Sequence, residues 1–229
     1  MNGNTIPAAK KPLHRKIYLL VFRLMFAISR KHHRDDIAIA MLFPDKNCPA
    51  DFSKIDQALC LISEFDSRRY HQIKHDVKRI WISAAPGYCA QWMDELQTCI
   101  LDQNYFCRPD VSASEIALTI VHEATHARLF KLKIGYTEDI RKRVERICIK
   151  SEIAFAKRLP DGEKLVEMAE SRLQRSENHS WTNAEFQQRE LDTLAELCKE
   201  TWLARILYRI VKYSVDKTNA RSQSREKIS

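Results

Sequence analysis

From Pro109 onward the sequence reads as a succession of helices, each opened and closed by a recognisable signal, and that run dictates the class of fold. Ser112-x-x-Glu115 is a capping box, in which the serine accepts from the amide three residues on and the glutamate reaches back to the serine amide. It predicts a helix to about Lys133, closed at Gly135. Thr137 caps the next helix, which runs to Leu159 and is stopped by Pro160, a residue without an N–H to donate. Pro160-Asp161-Gly162 begins another to about Ser176. A second capping box, Thr182-x-x-Glu185, opens a final helix to about Val215, and the polar stretch 216–229 forms a tail.

The first half is more mixed. Asp51 is an N-cap for a helix whose Phe52, Ile55, Leu59, Ile62 and Phe65 share one face. Three short runs rich in β-branched and aromatic residues follow at 79–83, 88–93 and 97–101, separated by Pro86-Gly87 and Asp94-Glu95. They predict a small antiparallel or mixed sheet ahead of the helix that begins near Ser112. Only four glycines occur in 229 residues, too few for a turn-rich all-β protein. The expected fold is therefore α+β and mainly helical, with one domain over 35–215 between an N-terminal segment, 1–34, and the tail.

A net charge of +8 suggests nucleic acid until it is located. Residues 1–34 carry eight Lys and Arg and no acidic residue, leaving 30 basic against 30 acidic residues in 35–229. The body is neutral, so no nucleic-acid partner is expected. Within the basic segment, residues 17–28 are apolar except for Arg23. Twelve helical residues span about 18 Å, short of a bilayer core of about 30 Å. Residues 10–34 thus read either as a peripheral membrane contact or as a helix packed on the domain with its Lys and Arg heads reaching water. The packed reading is preferred, because a neutral body still needs apolar surface over its sheet. Seven cysteines with no C-x-x-C pair predict neither a disulfide framework nor a cysteine-ligated zinc ribbon, and so a cytoplasmic, reducing setting.

The chemistry is concentrated in His122-Glu123-Ala124-Thr125-His126. Histidines four residues apart on a helix stand one turn apart on one face, so both imidazoles can reach a single Zn²⁺. Glu123 points about 100° away, close enough to take a proton from water beside the metal without being consumed as a ligand. Ile116, Ala117, Leu118, Ile120 and Val121 mark the helix as buried. Two histidines and a glutamate buried without partners would cost several kcal/mol, a penalty that a bound metal relieves. On the next helix Glu145 and Glu152, two turns apart on one face, are both candidates for the third ligand. Glu152 could instead accept a histidine N–H. His71 and His75 share the i, i+4 spacing but lack an intervening glutamate and follow Arg68-Arg69, which reads as surface.

His122-Glu-x-x-His126 followed after 18 intervening residues by Glu145 resembles the gluzincin branch of zincin metallopeptidases, and the stretch 115–160 is similar to uncharacterised bacterial zinc peptidases. The resemblance implies a zincin-like domain, zinc on His122, His126 and Glu145, Glu123 as general base, and a peptide or protein substrate along an edge strand. The thermolysin pattern has Asp four residues after the ligand glutamate, where this chain has Ile149. No Gly-x-Met-Glu-Asn box precedes the motif, and Leu129 and Leu132 replace the Gly and His of metzincins. For the oxyanion, Tyr136 and His179 are the candidate donors. The function expected is metal-assisted peptide hydrolysis, and the alternative is a zinc-stabilised, non-catalytic binding or regulatory module.

Overall fold

A computed structural model describes residues 13–42, 44, 48, 51–85, 88–177 and 182–197. Among them are eight α-helices and five strands, an α+β domain in which helix predominates. Helix α1 (Leu13–Ile28) leads into a hairpin, β1 (Arg30–Arg34) and β2 (Ile37–Met41). Helices α2 (Ser53–Phe65) and α3 (Ser67–Asp76) then cross over to β3 (Arg79–Ser83). Strand β4 (Ala90–Met93), β5 (Thr98–Asp102) and the short α4 (Gln103–Phe106) precede α5 (Ala113–Lys131), α6 (Glu138–Ala156), α7 (Glu163–Glu177) and α8 (Asn183–Leu197).

The sheet order is β1-β2-β3-β5-β4. Strands β2, β3 and β5 run parallel, and the two edges are antiparallel. Of the antiparallel and mixed alternatives, the sheet is the mixed one, because β4 folds back on β5 and leaves β5 to pair beside β3. The β1–β2 hairpin was not read from the sequence. Its inner strand carried the signal, with Ile37, Ile39 and Met41 alternating, but the outer strand, Arg30-Lys-His-His-Arg, has no apolar pattern at all.

Alternation along the central strands builds two cores. Ile39, Ile80, Ile82, Cys99 and Leu101 face a large core with α2 and α5. Ala40, Trp81 and Ile100 face the other way, against Leu19, Val21 and Phe22 of α1. Phe22 meets Trp81 edge-on at 5.3 Å, and the Trp81 indole N–H donates to Ser29 Oγ at 2.9 Å. The N-terminal helix is thus packed on the sheet, although Leu20, Leu24 and Ile28 stay exposed on its outer side. No described helix is long and apolar enough to cross a membrane.

Two turns position the later helices. Both halves of the Ser112–Glu115 capping box form. At its other end α5 closes at Lys133 and not at Gly135: Lys133 takes the left-handed conformation, φ 61°. Ile134 N–H bonds to Leu129 O at 3.0 Å and Lys133 N–H to Phe130 O at 2.8 Å, a Schellman closure. These bonds offset the cost of about 1 kcal/mol that a non-glycine residue incurs there. Gly162 is required between α6 and α7, since any Cβ would stand 1.9 Å from Ala156 O. The sequence-expected extension of α8 towards Val215, the tail and His179 lie outside the described residues. Cys48 and Cys107 pair as a disulfide, their Cα atoms 5.3 Å apart, where the odd cysteine count suggests free thiols. They stand 59 positions apart in the sequence, so only tertiary packing brings them together.

Candidate metal centre

Helix α5 is buried on most of its circumference, with Ile116, Ala117, Ile120, Val121 and Ala127 in the core. That burial fixes which way the motif faces: His122, Glu123 and His126 line a cleft of about 530 Å³. The turn after Lys133 returns the chain so that α6 packs on α5, bringing Glu145 to the histidines.

Three donor groups converge. His122 Nε2 and His126 Nε2 are 3.2 Å apart. Glu145 Oε2 lies 3.3 Å from the first and Oε1 3.3 Å from the second. Ligands about 2.0–2.1 Å from a tetrahedral zinc stand about 3.3 Å from one another, so the triangle has the edge lengths of one face of that shell. Cys148, one turn beyond Glu145, is fully buried, and its Sγ forms with the two imidazoles a group whose ligand atoms all lie within 4.8 Å of one another. The cluster could therefore hold a metal ion with either α6 side chain as third ligand. Burial and the neighbouring carboxylates push the Cys148 thiol well up. The two imidazoles outweigh desolvation at Glu145 and hold its carboxyl well below the usual range.

Glu152 takes the outer role. It is fully buried, and one oxygen accepts from His122 Nδ1, the nitrogen facing away from the triangle. That bond places the His122 proton on Nδ1 and leaves the Nε2 lone pair for a metal. The other oxygen of Glu152 pairs with Arg172 of α7. Glu152 and Arg172 thus provide the outer support that the chain cannot draw from Ile149, which merely lines the cleft.

Glu123 is 5% exposed, and among the described residues no hydrogen bond or ion pair engages its carboxylate. Burial pushes its pKa up, against the pull of both histidines. Tyr136 reaches the same place: its hydroxyl donates to Glu145, its ring meets His126 edge-on at 5.3 Å, and the Arg141 guanidinium lies 5.0 Å from the ring centre. His71 and His75 are exposed on α3 and line a separate groove with Asp76 and Arg128.

The opposite wall of the cleft is β4 with the residues just before it, including Cys89, Gln91 and Trp92. It is an edge strand, paired only to β5 among the described residues, so one row of its backbone N–H and C=O groups is unpaired by any strand. Asp102 supports this wall by accepting from Ala85 N–H at 3.0 Å and from Tyr105 N–H at 2.9 Å. Sequence reasoning missed Arg172 and Arg175, which line the cleft from α7. Their i, i+3 spacing was visible, but nothing local said which face of α7 meets the metal cluster.

Fold and cluster together define an α+β domain with a candidate mononuclear metal centre set in a cleft beside an edge strand. No protein-family model, curated protein or solved structure matches the chain.

Proposed function

We propose that the protein is a zinc-dependent peptide hydrolase of the gluzincin type. The observation that carries this reading is the triangle of His122 Nε2, His126 Nε2 and the Glu145 carboxylate, with edges of 3.2–3.3 Å, beside an unengaged Glu123 in the same cleft. Glu145 is preferred to Cys148 as third ligand because its oxygens already stand at ligand–ligand spacing from both imidazoles.

Zinc, when bound, supplies a Lewis acid and lowers the pKa of water towards about 7. The chain does the rest. Glu152 keeps His122 in the ligating tautomer, and Arg172 holds Glu152 in place. Glu123 accepts the proton of the attacking water, whose oxygen bonds to the acyl carbon. As the C–N bond breaks, Glu123 returns that proton to the leaving amine. Tyr136, hydrogen-bonded to Glu145 in the resting site, is the side-chain donor best placed to turn to the oxyanion. The outer edge of β4 offers backbone groups to an extended peptide.

Protein purified without chelator is expected to carry about one zinc per chain and to cleave members of a peptide library. Absence of zinc both as purified and after titration would overturn the reading. For location, exposed Leu20, Leu24 and Ile28 beside exposed Arg23 and Lys31 favour a peripheral contact with an anionic membrane surface over free diffusion in the cytoplasm. Flotation of the full chain with anionic vesicles should fall as salt rises and be lost in Leu24→Asp. No flotation at low salt rejects the contact.

A further inference from the structure

Arg172 and Arg175 stand one turn apart on α7 and are the two guanidinium groups in the wall of the cleft. They differ in what holds them. Arg172 is tied to Glu152, which leaves most of its five N–H donors free to turn inward. Arg175 is exposed and makes no hydrogen bond or ion pair among the described residues. A pair of arginines lining a cleft, one anchored and one free, suits a planar anion gripped by two parallel N–H bonds.

Their position along the cleft selects where on a substrate that anion would sit. Arg172 lies within electrostatic reach of Cys89, immediately before β4 begins at Ala90, and of Glu123. A peptide adding to β4 in the antiparallel sense, slightly the more stable pairing, runs its C-terminal half towards the start of that strand. Between the Arg172 guanidinium and the metal position stand one carboxylate, Glu152, and one imidazole, His122. An extended chain spans that separation in at most about three residues, at about 3.5 Å each. The far end of the cleft is different: Leu129, Phe130 and Ile134 make it apolar.

Resting on the peptide-hydrolase reading above, we infer that the cleft selects peptides bearing a carboxylate within about three residues on the leaving-amine side of the scissile bond, held by Arg175 together with Arg172. The carboxylate is either the peptide's own C-terminus or an acidic side chain. The first source makes the enzyme trim short C-terminal pieces, and the second makes it cut ahead of acidic residues.

The test uses the zinc-loaded full chain and two readouts. Binding is measured by calorimetry with N-acetylphenylalanine and with its amide. The acid should bind roughly ten- to a hundredfold more tightly, the range for a charge-assisted pair. Arg175→Gln should erase that difference while zinc content stays unchanged, and Arg175→Lys should restore part of it. Equal affinity for acid and amide, or a preference that persists in Arg175→Gln because zinc alone takes the anion, overturns the inference. Cleavage is then compared on peptides as free acids and as amides, and with Glu or Gln after the scissile bond, which separates the two sources. Failure to cleave any peptide while Arg175-dependent binding remains would sink the hydrolase reading and leave the anion site standing.

Discussion

Glu123→Gln is expected to lower peptide hydrolysis by about 10²- to 10⁴-fold, the usual contribution of a positioned general base, while zinc remains at about one per chain. The side chain lies in the cleft, outside the triangle of donor atoms, and no described residue engages it. Glutamine nearly matches its shape, so the packing of α5 should survive, and what is lost is the capacity to accept and return a proton. A zinc site kept for structure alone has no use for such a group. Unchanged turnover in Glu123→Gln would therefore favour the binding-module alternative. Loss of zinc along with turnover would show instead that Glu123 is a ligand.

The second large effect separates Glu145, Cys148 and Glu152, three side chains of α6 near the histidines. Glu145→Ala should weaken zinc far more than Glu152→Ala, for which about 10- to 100-fold is expected of an outer partner. Cys148→Ala should change affinity little. The reasoning is geometric: Glu145 faces the two Nε2 atoms at 3.3 Å, whereas Glu152 meets His122 through Nδ1. Removing Glu152 also strips the half-exposed Arg172 of its counterion, which can destabilise the fold. Thermal melts and the milder Glu152→Gln variant keep that effect apart from metal affinity. Chelator competition is the measurement. A Cys148→Ala loss equal to that of Glu145→Ala would move the third ligand to the thiol.

What the sequence determined by itself is local. The Ser112–Glu115 capping box, the two imidazoles of α5 on one face and the separate direction of Glu123 all follow from interactions within about four residues, where helical geometry leaves little freedom. That the N-terminal helix packs on the domain was legible too, because a neutral body still needs apolar surface over its sheet, but that Leu19, Val21 and Phe22 make the contact while Leu20, Leu24 and Ile28 face outward was not. The tertiary structure decided everything that depends on distant pairing. Strand order came from a fold-back that put β5 beside β3, and the polar β1 became a strand only because β2 was there to pair with it. The roles of Glu145 and Glu152 could not be separated in sequence because both project from one face of α6, and only the tilt of α6 on α5 set one against Nε2 and the other against Nδ1. Arg172 and Arg175 were invisible for the same reason. Spacing along a helix tells which residues share a face, but what that face meets is settled by burial summed over the whole chain.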